Sequence, residues 1–300
     1  MPLTAQLSAD TRFEEILERL TKMSERDYYN PYEVFDWPDE LPEECYWMSP
    51  ELMSVHGTKV LGELTEQQLW ALSRWESINF YSLNVHGIRE LLIEVITRIH
   101  TPGFELPSEY FHHLIGEENE HMWFFAKFCL NYAKKIYPDR TMQRSAQQEG
   151  AEADADTFLV FSRLLIFEEI VDYFNKLMGK DDRLHPTIKQ VNAIHHQDES
   201  RHIAFGRQAI AVLHRDLRGR MSPEQLLELE TYLKNYMSYL MNNLVNPTAY
   251  ADAGLEDPFG LRRRVLAEPA HVRFRARVLS RSIRHMIKEG IFTDDSLPES

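Results

Sequence analysis

HHQDESRH, residues 195–202, sets three histidines, an aspartate and a glutamate within little more than two helical turns. Read as helix, His195, Glu199 and His202 stand at i, i+4 and i+7 and share one face, whereas His196 points well round the helix. Imidazole nitrogen with carboxylate oxygen is a ligand mixture suited to iron, zinc or manganese. One helix can furnish only one face of such a site, so partners are expected elsewhere in the chain.

Three other segments supply them. Glu90 lies in IRELLIEV (88–95), Glu118 and His121 in EENEH (117–121), and Glu168 in RLLIFEEIVDYF (163–174). With Glu199 and His202 the order along the chain is Glu, ExxH, Glu, ExxH, the pattern of carboxylate-bridged dimetal sites inside four-helix bundles. A single ExxH is weak evidence, and Glu109 with His112 is a second example in the same chain. Height in an antiparallel helix pair discriminates between them. Glu90 and Glu118 each lie about 15 Å from their shared loop, and Glu168 and Glu199 lie about 15 and 18 Å from theirs. Glu109 has no carboxylate opposite, and Glu76, about 36 Å from the loop, has no counterpart either. Carboxylates inside such apolar segments are costly unless paired or metal-bound.

The surrounding pattern is helical throughout. An amphipathic helix is expected from about Thr11 to Arg26, followed by an irregular arm in which prolines collect between Pro31 and Pro50. TEQQ (65–68) matches a capping box and opens a helix to about His100. TPGFELP (101–107) breaks it, and further helices are expected from Ser108 to before Pro138, Asp154 to Met178, Pro186 past Leu213, Ser222 onward and Glu268 to Lys288. No sustained strand alternation and no phosphate-binding glycine motif is seen. The fold class is therefore all-α: a four-helix core over 65–215, an N-terminal helix and arm over 1–60, and C-terminal helices over 222–300, in a single domain spanning 1–300.

Composition excludes several functions. A net charge of −14 argues against a generic nucleic-acid binder. No apolar run approaches the roughly 20 residues of a membrane span. The first twenty residues have neither the basic nor the apolar region of a secretory signal. Cys45 and Cys129 form no CxxC motif, which fits a reducing, cytoplasmic setting. Metal-bound histidine usually gives its other N–H to a carboxylate or carbonyl. Asp172, one turn past Glu168, is a candidate for orienting His195, and Asp198 and Glu117, each just before a ligand glutamate, are candidates for histidines across the bundle.

These motifs resemble the ferritin-like dinuclear iron oxygenases, and within them the AurF-type arylamine N-oxygenases. The specific mark is the histidine one turn ahead of the second glutamate, His195-x-x-x-Glu199-x-x-His202, with Glu168 27 residues before His195. The resemblance covers about residues 65–215. It implies a ferritin-like bundle and seven ligands, Glu90, Glu118, His121, Glu168, His195, Glu199 and His202, holding two iron ions, with His86 as an outer residue. It implies oxidation of an amine to hydroxylamine, nitroso or nitro by dioxygen, with electrons from an external donor such as a reductase, in secondary metabolism such as antibiotic biosynthesis. The substrate is a small aromatic amine or a free or carrier-protein-bound amino acid, and a homodimer is expected. The family binds a substrate carboxylate with an arginine near the C-terminus, for which VRFRARV (272–278) offers Arg273, Arg275 and Arg277. Three alternatives stay open at this level: a diiron C–H hydroxylase or desaturase, a ferritin-like ferroxidase, and a metal-free helical scaffold.

Overall fold

The computed structural model describes residues 7, 10–139 and 151–298. Among these there are α-helices and short 3-10 turns and no strand, the all-α class that the spacing predicts. The helices are α1 (Thr11–Arg26), α2 (Pro31–Val34), α3 (Glu66–Ile96), α4 (Ser108–Tyr132), α5 (Ala151–Met178), α6 (Pro186–Leu217), α7 (Pro223–Leu244), α8 (Pro247–Asp252), α9 (Pro258–Ala267) and α10 (Pro269–Lys288).

The starts follow local chemistry. Thr65 and Gln68 close a reciprocal capping box at α3, and Ser222 and Gln225 do the same at α7, each satisfying two orphan backbone donors. Helix α3 stops at Ile96 rather than His100, with Thr97 as its C-cap, and the turn that follows passes through left-handed His100 at φ 54°. Helices α8 and α9 go beyond the sequence expectation. Asn246-Pro247 and Asp257-Pro258 are cap-plus-N1 signatures that mark both starts.

Helices α3 and α4 form one antiparallel hairpin and α5 and α6 the other. Tyr81 of α3 stacks on Phe125 of α4 at 5.2 Å and meets Phe128 at 4.8 Å, which fixes the register of the first pair. In the second, Asn175 meets His195 and Glu169 meets Arg207. The α5–α6 turn is tight enough that a Cβ on Gly179 would fall 3.0 Å from the Ala193 backbone. A Cβ on Gly87 of α3 would fall 2.3 Å from the Phe167 ring of α5, so the absence of a side chain lets the two hairpins approach.

Two aromatic layers fill the bundle. Phe111, Phe161 and Phe205 pack together with centroids 5.7–6.2 Å apart toward one end. Tyr81, Phe125, Phe80 and Phe174 form the other. Between them lies a layer of buried Glu and His. Helices α1, α7 and α10 cover the outside, α1 against α4 and α6, α7 against α3 and α5, and α10 against α5.

Candidate metal centre

Glu118, His121, Glu199 and His202 are buried, and one ligand atom from each lies within 4.8 Å of all the others. The two glutamates sit between the histidines. Glu118 Oε1 is 2.6 Å from His202 Nδ1 and its Oε2 is 3.7 Å from His121 Nδ1. Glu199 Oε1 is 3.6 Å from His121 Nδ1 and its Oε2 is 3.5 Å from His202 Nδ1. Each carboxylate thus offers one oxygen to each histidine, the arrangement of two bridging carboxylates. His195 Nε2 adds to the His121 side, 3.1 Å from Glu199 Oε1, with the His121 and His195 rings 4.4 Å apart. Glu168 lies against Glu199 and feels the charge of His202 on the other side. Glu118, His121, Glu199 and His202 would hold a metal pair at this spot, with His195 on the His121 side and Glu168 beside Glu199 as further donors.

The inner atoms are left without partners. Both oxygens of Glu118, Glu168 and Glu199, together with His121 Nδ1, His195 Nε2 and His202 Nδ1, are buried and make no hydrogen bond; even the short His202–Glu118 approach lacks the geometry. An orphaned buried polar group costs about 1–3 kcal/mol. Nine such atoms converging on one spot have the donor set of a dimetal site, and two divalent cations fit it.

The outer ring nitrogens are all engaged. His121 Nε2 bonds Asp198 Oδ2 at 3.1 Å and His202 Nε2 bonds Glu117 Oε2 at 2.7 Å. The acid preceding each bridging glutamate therefore orients the histidine of the opposite helix, fixing the tautomer that turns Nδ1 inward. Arg201, 2% exposed, ties both outer carboxylates together, 2.7 Å from Glu117 and 2.6 Å from Asp198. Tyr29 of the arm donates to Asp198 Oδ2 at 3.0 Å. Asn175 meets His195 Nδ1 at 2.5 Å. The nearer amide atom is Nδ2, while Asn175 Oδ1 has no partner; turning the amide by 180° makes Oδ1 the acceptor of Nδ1–H and leaves the Nε2 lone pair facing Glu199.

Electrostatics follow this geometry. Burial, and then the charges of Glu118 and Glu199, push Glu168 well above the ordinary carboxylate range. Burial and the His121 charge push His195 well below the usual imidazole value. Burial alone would raise Glu117, but His202 and Arg201 outweigh it and hold it at about 2. Burial opposes the charge of His121, yet Asp198 and Glu118 outweigh it and raise His121 to about 10.

Several expected positions are corrected. Glu90 is at the right height but on the wrong face: it is half-buried in the wall of a cavity between α3, α5 and α7. Tyr81 faces α4, so the inward residue one heptad on, at cluster height, is the fully buried Ile88. Glu90 is two residues further, about 200° round the helix. His195 fills that corner of the cluster instead. Asp172 bonds His196 Nδ1 and, at 3.3 Å, Arg281, and does not orient His195. Asn175, three residues and most of a turn further along, meets it instead. His86 bonds the Tyr137 carbonyl at 2.7 Å and lines the same cavity as Glu90. Arg273 and Arg277 are exposed on the outer side of α10. Arg275 is buried against Ser238 and the Pro298 carbonyl, joining α10 to α7 and the C-terminal segment. None of the three faces the cluster, because α10 packs outside the bundle. Arg201, Asn175 and Tyr29 are the residues that sequence reasoning missed. Arg201 lies inside the DESRH motif three residues after Asp198, and Asn175 is two turns past Glu168 on its face; Tyr29 carries no such signal.

Comparison with known proteins agrees with the geometry. Uncharacterised proteins of Mycobacterium bovis and of Mycobacterium tuberculosis (strain H37Rv) are each 24% identical over 271 residues, covering 86% of this chain and 76% of theirs. Residues 10–290 match the family described as P-aminobenzoate N-oxygenase AurF, and with that match spanning nearly the whole chain the protein belongs to the AurF family of oxygenases.

Proposed function

We propose that this protein is a dinuclear iron N-oxygenase acting with dioxygen on the amine of a small aromatic or amino-acid-derived substrate. One observation carries the reading: nine partnerless ligand atoms point inward while every outer histidine nitrogen is held by Asp198, Glu117 or Asn175. Glu118 and Glu199 would hold the metal pair between them, with His121, His195, His202 and Glu168 as the remaining donors, and Arg201 offsets part of the charge of Glu117 and Asp198. Bound iron supplies the electrons and Lewis acidity that activate dioxygen. Forming the hydroxylamine puts one oxygen atom on nitrogen and releases the other as water, consuming two electrons and two protons, the electrons coming from an external donor. Phe124 and Phe125 pack on His121 and His195, with centroids 5.4 and 4.9 Å away, and exclude water. Among the described residues no helix is long and apolar enough to cross a membrane.

The test is anaerobic loading with ferrous iron, metal analysis, then oxygen with a panel of arylamines and amino acids and mass detection of oxygenated products. Two irons per chain and an N-oxygenated product are expected. Fewer than two irons, or iron oxidation with every amine left intact, sinks the proposal.

A further inference from the structure

A cavity of about 310 Å³ lies between α3, α5 and α7, at the lower end of the range that holds small organic molecules. Rings of Phe80, Phe167, Tyr232, Tyr236 and Tyr239 form much of its wall. Phe80 stacks on Phe174 at 5.0 Å and Phe167 covers Gly87, and Glu90 and Arg163 both line the cavity. Both charged residues also share a smaller recess with Tyr236. Arg163 contacts the Tyr232 hydroxyl at 3.2 Å, and among the described residues neither Glu90 nor Arg163 has an ion-pair partner. Further along α3, Asn84 lines the cavity and is fully buried. Its amide nitrogen donates to the Phe80 carbonyl, but its Oδ1 has no donor. The register also puts Glu168 at the height of His86 and Gly87, so the cavity flanks the metal centre, and Phe167, next to Glu168, lines it.

A carboxylate ligand would satisfy Arg163 but face Glu90, and a simple amine the reverse; a zwitterion pairs with both. Aromatic walls favour an aromatic body through offset and edge-to-face packing. We propose that this cavity binds an aromatic α-amino acid, carboxylate on Arg163, ammonium on Glu90, ring among the Phe and Tyr rings, and a ring N–H or O–H donating to Asn84 Oδ1. This names the substrate class of the function above, and rests on that reading only for what happens to the molecule once bound; a ring amine, outside both ion pairs and with its lone pair unused when N–H donates to Asn84, is the nitrogen that would react.

The test is calorimetric binding of 4-amino-L-phenylalanine to the full chain, with and without ferrous iron, against phenethylamine and 3-phenylpropionate. The amino acid binds at least tenfold more tightly than either single-charge analogue. Glu90→Gln and Arg163→Met each remove that advantage, with circular dichroism and iron content unchanged, and Leu240→Trp, which fills the cavity, abolishes binding. Equal affinity for the three ligands, no binding at all, or affinity indifferent to Arg163→Met overturns the proposal. Binding as stated without oxidation refutes the N-oxygenase reading and leaves the pocket; amine oxidation independent of Glu90 and Arg163 does the opposite.

Discussion

Replacing Glu168 with methionine separates a metal centre from a self-contained polar core. Both Glu168 oxygens are buried without a hydrogen-bond partner, and the residue is 3% exposed. Leaving such a group unsatisfied costs about 1–3 kcal/mol. Methionine is unbranched, of similar length and adaptable in packing. In chelator, Glu168→Met is therefore expected to be more stable than the parent by ~1–3 kcal/mol, with each kcal/mol raising Tm by about 1.5–2 °C in a chain of this size. Metal reverses the order. Two ferrous ions, each at a hundred times its Kd, stabilise the parent by about 5.4 kcal/mol, ~2.7 per site. The variant, short of one ligand, gains much less. Paired thermal melts, in chelator and under anaerobic iron, should therefore cross. A variant that is less stable than the parent in chelator, with no iron-dependent shift in the parent, would falsify the argument, since the Glu168 oxygens would then be satisfied within the protein.

Asp198→Asn and Glu117→Gln are each expected to weaken metal binding about 10- to 100-fold, and Asn175→Leu to act alike through His195. Asp172→Asn should leave it unchanged, and competition with a metal-indicator dye reads both outcomes. Glu76 is buried, accepts from Ser54 N at 3.1 Å, and is raised from 4.5 to about 7, chiefly by burial. A raised carboxyl group stabilises the fold fully below pH 4.5 and loses that contribution as pH climbs through about 7. The loss amounts to ~3 kcal/mol, so Glu76→Gln should gain on the parent by that much between pH 4 and pH 8 in urea titrations; a difference independent of pH contradicts it. Gly87→Ala places a methyl group 2.3 Å from the Phe167 ring and should cost ~1–3 kcal/mol. A loss in urea below ~0.5 kcal/mol would mean that the ring swings aside.

Helix spans and ligand types were legible because they rest on local rules. The capping box at Thr65, the Ser222-Pro223 start and the breaker TPGFELP bound the helices, and the i, i+3 and i+4 spacing within DESRH and EENEH puts each Glu and His on a common face wherever those helices pack. Height from the connecting loop set Glu90 level with Glu118 and Glu168 level with Glu199, since rise per residue is constant. Rotation about each helix axis is a different matter. It depends on which faces neighbouring helices bury, and so on the approach of Gly87 to Phe167 and on the stacking of Tyr81 against Phe125. Those tertiary contacts turned Ile88 inward and Glu90 outward, gave His195 to Asn175 rather than Asp172, and left Arg273 and Arg277 in solvent. The sequence alone determined an all-α bundle carrying a buried carboxylate–imidazole cluster, because spacing along one helix is set by the backbone. Which candidates meet in that cluster was decided only by the tertiary structure, because 100° of turn per residue makes a one-residue choice a change of face.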